Sequence, residues 1–179
     1  MKLIETSIQG LFIVELEKIE DGRGFFARSW CAREFQKHGL STSMAQCNLV
    51  WTATKGTIRG MHYQIEPYSE VKLFRCTKGS IFHVVIDLRQ DSQTYLRTFG
   101  IELNDANYRA LYVPENFATG YQTIRDDTEV VYQVSQYYSP AEERGIRWND
   151  PLFNIDWPIK EFVQISSKDC NWENFVLNK

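Results

Sequence analysis

The stretch Lys72-Leu73-Phe74-Arg75-Cys76-Thr77-Lys78-Gly79-Ser80-Ile81-Phe82-His83-Val84-Val85-Ile86-Asp87-Leu88 decides the fold class. Two runs rich in β-branched and aromatic residues flank Lys78-Gly79, a pair suited to a tight turn. Residues 72–77 and 80–88 are therefore expected as consecutive strands. Alternation puts Lys72, Phe74 and Cys76 on one face, and Ile81, His83 and Val85 together on another.

The same pattern continues outward in both directions. Short apolar segments bounded by Gly, Asp, Asn or Pro predict strands over 7–16, 24–29, 46–54, 57–64, 96–103, 110–113, 120–124 and 129–138. Asp126-Asp127 makes the turn before the last of these. Residues 31–38 form the one early helix candidate, closed by Gly39. From Ser139 onward the chain carries Pro140, Pro151 and Pro158 and reads as irregular, with a short helix near its end. Many short strands and few helices predict an all-β sandwich or barrel. A chain of 179 residues suits one domain over 1–179: a core of about 45–138, with N-terminal strands and a C-terminal tail as extensions.

Composition narrows the function classes. The formal net charge of −3 provides no global basic field, so nucleic acid is not an expected partner. The first residues show no apolar core or cleavage signal, and no apolar run approaches the roughly 20 residues that span a bilayer. A cytoplasmic protein without membrane partners is expected. Cys31, Cys47, Cys76 and Cys170 form no C-x-x-C pair and read as reduced structural thiols.

Three histidines are present. His38 sits before Gly39 at an expected helix end, where a solvated role is the simplest reading. His62 lies in Arg59-Gly60-Met61-His62-Tyr63-Gln64, and alternation gives Gly60, His62 and Gln64 one face that lacks large aliphatic residues. A buried, satisfied histidine is the competing reading. His83 is expected to face inward and to need a polar partner. Lys72 is a candidate oxyanion stabiliser if it shares a cavity with His62, and Tyr132 a candidate proton donor. Arg23, between Gly22 and Gly24, and Arg59 are candidates for gripping a pyrophosphate. Metal-binding barrels of this type carry two histidines two apart and a third beyond a proline. Here those positions read His62-Tyr63-Gln64 and Pro114 to Gly120, so two of the three histidines are missing. Neither a metal nor another cofactor is expected.

The chain resembles the dTDP-4-dehydrorhamnose 3,5-epimerases. The resemblance runs through Asp21-Gly22-Arg23-Gly24-Phe25-Phe26, Gln46-Cys47-Asn48, Arg59 to Gln64, Lys72-Leu73, Asp87-Leu88-Arg89, Val113-Pro114, Tyr137-Tyr138-Ser139-Pro140, Trp148-Asn149-Asp150-Pro151 and Ile155-Asp156-Trp157-Pro158. Each piece alone is weak; their order and spacing are specific. The resemblance implies a cupin-type jelly-roll β-barrel with short peripheral helices. It also implies a metal-free epimerisation at C3 and C5 of a nucleotide-linked 4-keto-6-deoxyhexose, in deoxysugar or cell-surface polysaccharide biosynthesis. By the same resemblance His62 is the base, Asp169 orients it, Lys72 steadies the enolate, and Tyr132 returns a proton from the opposite face. Arg23, Gln46, Asn48 and Arg59 surround the nucleotide, with Phe26 and Tyr138 adding aromatic surface. The family forms homodimers whose N-terminal part reaches the neighbouring subunit.

Three positions depart from the family pattern. Thr119 stands where the family usually has histidine, and His83 where it usually has aspartate. These two changes are expected to be linked by a direct contact. Arg28 stands where many members carry glutamate, which leaves the base, thymidine or cytidine, open. The competing functions are a mono-epimerase, a non-catalytic sugar-nucleotide-binding module, and a metal-dependent oxygenase of the same fold.

Overall fold

In the computed structural model, which describes residues 1–161 and 164–177, Gly79 is a corner between two sheets. The strand before it, β7 (Lys72–Lys78), joins one sheet, and the strand after it, β8 (Ser80–Asp87), joins the other. The expected tight turn is there, but the strands it links do not pair with each other. Gly79 takes φ +81°, and a Cβ on it would sit 2.4 Å from Thr128 Oγ1, so the corner requires glycine.

The first sheet also contains β1 (Lys2–Glu5), β2 (Phe12–Glu15), β5 (Gln46–Thr52), β10 (Ala110–Val113) and β12 (Thr128–Val134). Its order is β1-β2-β10-β7-β12-β5. The second contains β6 (Thr57–Gln64), β9 (Thr98–Asn104), β11 (Phe117–Thr123) and β13 (Glu143–Gly145), ordered β13-β6-β11-β8-β9. A short parallel strand, β14 (Gln164–Ile165), lies beside the start of β6. A hairpin of β3 (Ile19–Asp21) and β4 (Gly24–Phe26) stands apart from both sheets. The helices are α1 (Ala32–Lys37) and α2 (Ser167–Cys170). The expected all-β jelly roll therefore forms as a two-sheet sandwich, with β5/β6, β7/β8 and β11/β12 each crossing between sheets.

Burial explains why the apolar runs are so long. Phe74 and Cys76 of β7 and Ile81 and Val85 of β8 pack between the sheets with Leu103, Leu111 and Phe117. The intervening Val84 and Ile86 face the other way and are covered by Ile146, Phe153 and Trp157 of the C-terminal tail. On the outside of the first sheet, Phe35 of α1 is fully buried with Leu73, Ala110 and Tyr112. Burying one such phenylalanine contributes roughly 1.5–3 kcal/mol.

The sequence reading needs correction at the ends of the chain. The expected strand over 7–16 is a turn followed by the shorter β2, and β1 precedes it. The tail is not wholly irregular, because β13 and β14 extend the second sheet and α2 is the expected short helix. Its Trp and Asp motifs serve as moorings. Trp157 Nε1 donates to Trp148 O at 2.9 Å, and Asp150 accepts the backbone N–H groups of Leu152 and Phe175. Asp87, fully buried, likewise accepts bonds from Arg89, Ser92 and Thr94. Among the described residues, no helix is long and apolar enough to cross a membrane.

Candidate active site

The site is organised by an irregularity in β6. Against β11, Thr119 pairs with His62 and Tyr121 with Arg59, so β6 spends three steps where β11 spends two. The extra residue is a β-bulge. Gly60, at φ +121°, allows it, because a Cβ there would sit 2.5 Å from Gly120 Cα. Strict alternation would send Arg59 and His62 to opposite faces. The bulge turns both into one cavity of about 600 Å³.

This cavity is lined also by Lys72, Thr119, Tyr132 and Asp169. A second, of about 450 Å³, adjoins it and shares His62, Lys72 and Tyr132, then extends to Gln46, Asn48 and Tyr138. Of the four expected catalytic residues, His62, Lys72 and Tyr132 thus line both spaces, and Asp169 lines the first. Asp169 arrives from α2, where Ser166 caps the helix by accepting the Asp169 N–H at 3.1 Å. Its Oδ1 lies 2.6 Å from His62 Nε2, and its Oδ2 accepts the Gly60 N–H at 3.2 Å. Burial raises the Asp169 pKa, but the His62 bond and charge, with the Gly60 and Ser166 bonds, outweigh it and hold the carboxyl below its usual range. With Nε2 engaged by the carboxylate, Nδ1 is the ring nitrogen left to exchange a proton with a ligand.

Lys72 is nearly buried and pairs with Glu70 at 3.0 Å. Tyr132 stacks on Phe74 at 4.8 Å, and burial, then the charge of Glu70, raises its pKa. The phenol therefore keeps its proton through neutral pH, as a donor must. Behind them, His83 Nε2 lies 2.6 Å from Thr119 Oγ1, so the two departing positions do touch. Complete burial, then the charge of Lys72, pushes the His83 pKa down to about 3 and keeps the ring neutral. His83 is an interior histidine bonded through Nε2, with no partner for Nδ1 among the described residues, and it fixes the Thr119 hydroxyl at the cavity wall.

The remaining expected residues divide. Arg59 lines the first cavity and donates from Nε to Thr52 Oγ1 at 3.1 Å. Gln46 accepts the Tyr138 N–H at 2.8 Å, and the Tyr138 hydroxyl donates to Glu143 at 2.6 Å. Arg23, Phe26 and Arg28 line neither cavity of their own chain. Arg23 is 90% exposed and ion-paired to Asp21, and Phe26 is 64% exposed. His38 is the exposed C-cap of α1.

Glu70, Glu143 and Lys168 were missed by the sequence reading. Glu70 had a usable signal, since it lies two residues before Lys72 and so shares its side of an extended chain. Glu143 and Lys168 had none, because they come together only when the tail folds back, and they form an ion pair beside Tyr138. That pair holds the Glu143 pKa down and the Lys168 pKa up, each against its own burial. Among the described residues, no group of three or more His, Cys, Asp or Glu side chains is placed to hold a metal.

Comparison with known proteins finds matches over nearly the whole chain. A family model described as dTDP-4-dehydrorhamnose 3,5-epimerase matches residues 5–176. A Shigella flexneri protein of that name is 40% identical over 177 residues, covering 98% of this chain and 97% of the relative. The Bacillus anthracis dTDP-4-dehydrorhamnose 3,5-epimerase, solved with TDP and PPi bound, superposes with a TM-score of 0.93 at 36% identity. It covers 97% of this chain and 99% of its own. A Legionella pneumophila dTDP-6-deoxy-D-glucose-3,5-epimerase in complex with dTDP-4-keto-L-rhamnose gives 0.91 at 33% identity, covering 97% and 92%. Sequence, fold and extent agree, and the chain belongs to the dTDP-4-dehydrorhamnose 3,5-epimerase family.

Proposed function

We propose that this chain epimerises C3 and C5 of a dTDP-linked 4-keto-6-deoxyhexose by general acid–base proton transfer. The observation that carries the reading is the 2.6 Å His62–Asp169 pair facing a cavity that also holds Lys72 and Tyr132. The substrate's 4-keto group acidifies the hydrogens on C3 and C5. His62 takes one of them, and the Asp169 carboxylate stabilises the imidazolium that forms. The electron pair left on carbon moves onto the keto oxygen, where the Lys72 ammonium stabilises the enolate. Tyr132 then gives its proton to the opposite face of that carbon, inverting it. The proton on His62 returns through solvent or the phenolate, and the cycle repeats at the second carbon.

Arg59, Gln46 and Asn48 are assigned to the nucleotide and its pyrophosphate. Arg23, Phe26 and Arg28 are assigned to the same ligand bound in the partner of a homodimer. Their exposure and their absence from the chain's own cavities support that assignment. So does the apolar outer face of edge strand β5, where Leu49 and Trp51 are exposed. A cytoplasmic location belongs to the same reading and accords with four free cysteines. Thymidine is preferred over cytidine because the similar proteins carry dTDP in their names and complexes.

The deciding experiment is incubation with dTDP- and CDP-linked 4-keto-6-deoxyglucose in heavy water, followed by NMR. Deuterium is expected at both C3 and C5 of the dTDP sugar. Incorporation at one carbon alone would make the chain a mono-epimerase, and incorporation at neither, with intact binding, would leave a binding module.

A further inference from the structure

Asp169 rides on a helix of only four residues, and a single turn has little rigidity of its own. Its 2.6 Å bond to His62 needs the helix to be held from outside. Besides the Gly60 N–H bond to Asp169 and the β14–β6 pairing just before the helix, two contacts do this, and both reach β13. One is the ion pair of Lys168 with Glu143. The other is the seating of Trp172, two residues beyond α2, on Gly145.

The fit at Gly145 is close. A Cβ there would lie 2.1 Å from Trp172 Cε2 and 2.3 Å from its Cδ2 and Nε1. Gly145 has no left-handed φ, so its backbone makes no demand for glycine. What glycine supplies is room for an indole. Gly145 is also the register partner of His62 in the β13–β6 pairing, and the Trp172 ring meets the His62 ring edge-on at 6.4 Å. The buried Trp172 Nε1 has no hydrogen-bond partner among the described residues, so the indole contributes shape here and not a polar bond.

We propose that Trp172 is a positioning residue for the catalytic base: its indole, wedged into the space at Gly145, sets α2 where Asp169 bonds His62. This rests on the roles of His62 and Asp169 given above. Neither Trp172 nor Gly145 touches the substrate in this scheme. Their effect falls on turnover through the geometry of the pair, and a misplacement of about 1 Å in such a pair costs roughly 10²-fold in rate.

The test is a cycle of Gly145→Ala, Trp172→Ala and their combination on the full chain. Three readouts are needed: kcat and KM for the dTDP keto sugar, dTDP affinity, and the low-field imidazole N–H resonance of a His–Asp hydrogen bond. Gly145→Ala is expected to lower kcat roughly 10²-fold and to remove the resonance, with KM and dTDP affinity nearly unchanged. The double variant is expected to be no worse than Trp172→Ala, because the clash is gone. Trp172→Phe, which keeps an aromatic plate, is expected to recover most of what Trp172→Ala loses. If Gly145→Ala fails to fold by circular dichroism, the two Trp172 variants carry the comparison. A resonance and kcat that survive in Trp172→Ala overturn the proposal, as does a loss confined to KM. The resonance is read without substrate. An inactive parent chain whose resonance still responds as stated would therefore refute the epimerase reading and leave this one standing.

Discussion

His62 and His83 are both histidines in β-strands, yet their surroundings give them opposite tasks. His62 faces a cavity with a carboxylate on one nitrogen, while His83 is sealed among Phe74, Tyr121 and Thr119. The burial of His83 has a consequence for stability. The folded pKa of His83, about 3, lies below its ordinary 6.5, so between these values the unfolded chain binds more protons than the folded one. Stability from this residue is complete above pH 6.5 and is lost as pH falls toward 3. Urea midpoints between pH 7 and pH 4 should drop in the parent, and His83→Gln should flatten that slope. Asp169 is also depressed, below its ordinary 3.8, so its contribution is present above that value and is lost as pH falls through the folded pKa. Asp169→Asn is expected to cost about 1–3 kcal/mol at pH 7. The difference from the parent should close in acid, and kcat should fall roughly 10²-fold or more. An Asp169→Asn enzyme with parental kcat would remove the carboxylate from the mechanism.

At the level of elements, the bulge in β6 does what no single side chain can. One inserted residue re-aims Arg59 into the cavity that already receives His62. It depends on Gly60, whose φ of +121° and 2.5 Å approach to Gly120 leave no place for a Cβ. Gly60→Ala is therefore expected to destabilise the fold by about 3 kcal/mol or more and to abolish turnover. Both are measurable, by denaturant unfolding and by the NMR assay. The bulge also shows why alternation was only half a guide. It put His62 and Gln64 together, and both line the second cavity, but it could not show that Arg59 would join His62 in the first. The Lys78-Gly79 turn was equally legible as a turn. Whether it closed a hairpin or carried the chain across to another sheet depended on partners elsewhere, β10 and β12 for one strand and β9 and β11 for the other.

For the whole molecule, the β3–β4 hairpin is the part the single chain leaves unexplained, with Arg23 and Phe26 held out in solvent. If it completes a partner's site, Arg23→Ala and His62→Ala belong to different sites of one dimer. Mixing the two inactive or weakened proteins should then restore activity at low substrate concentration, through heterodimers carrying one intact site. Simple dilution behaviour would place Arg23 in its own chain's site or in none. The amino-acid sequence by itself determined the class of fold, because long β-branched and aromatic runs punctuated by glycine and aspartate admit few other structures. It also singled out His62, since a polar strand face is locally visible, and its motif order carried the family likeness. The family likeness also named Asp169, Lys72 and Tyr132 as the partners of His62, but only the tertiary structure brought them to one cavity and added the residues that hold them there. Asp169 lies 107 residues away, and Glu143, Lys168 and Trp172 sit in a tail with no periodic pattern. Local periodicity reports which side of an element is buried. It carries no information about which distant segment will be pressed against that side, and here that segment supplies the carboxylate.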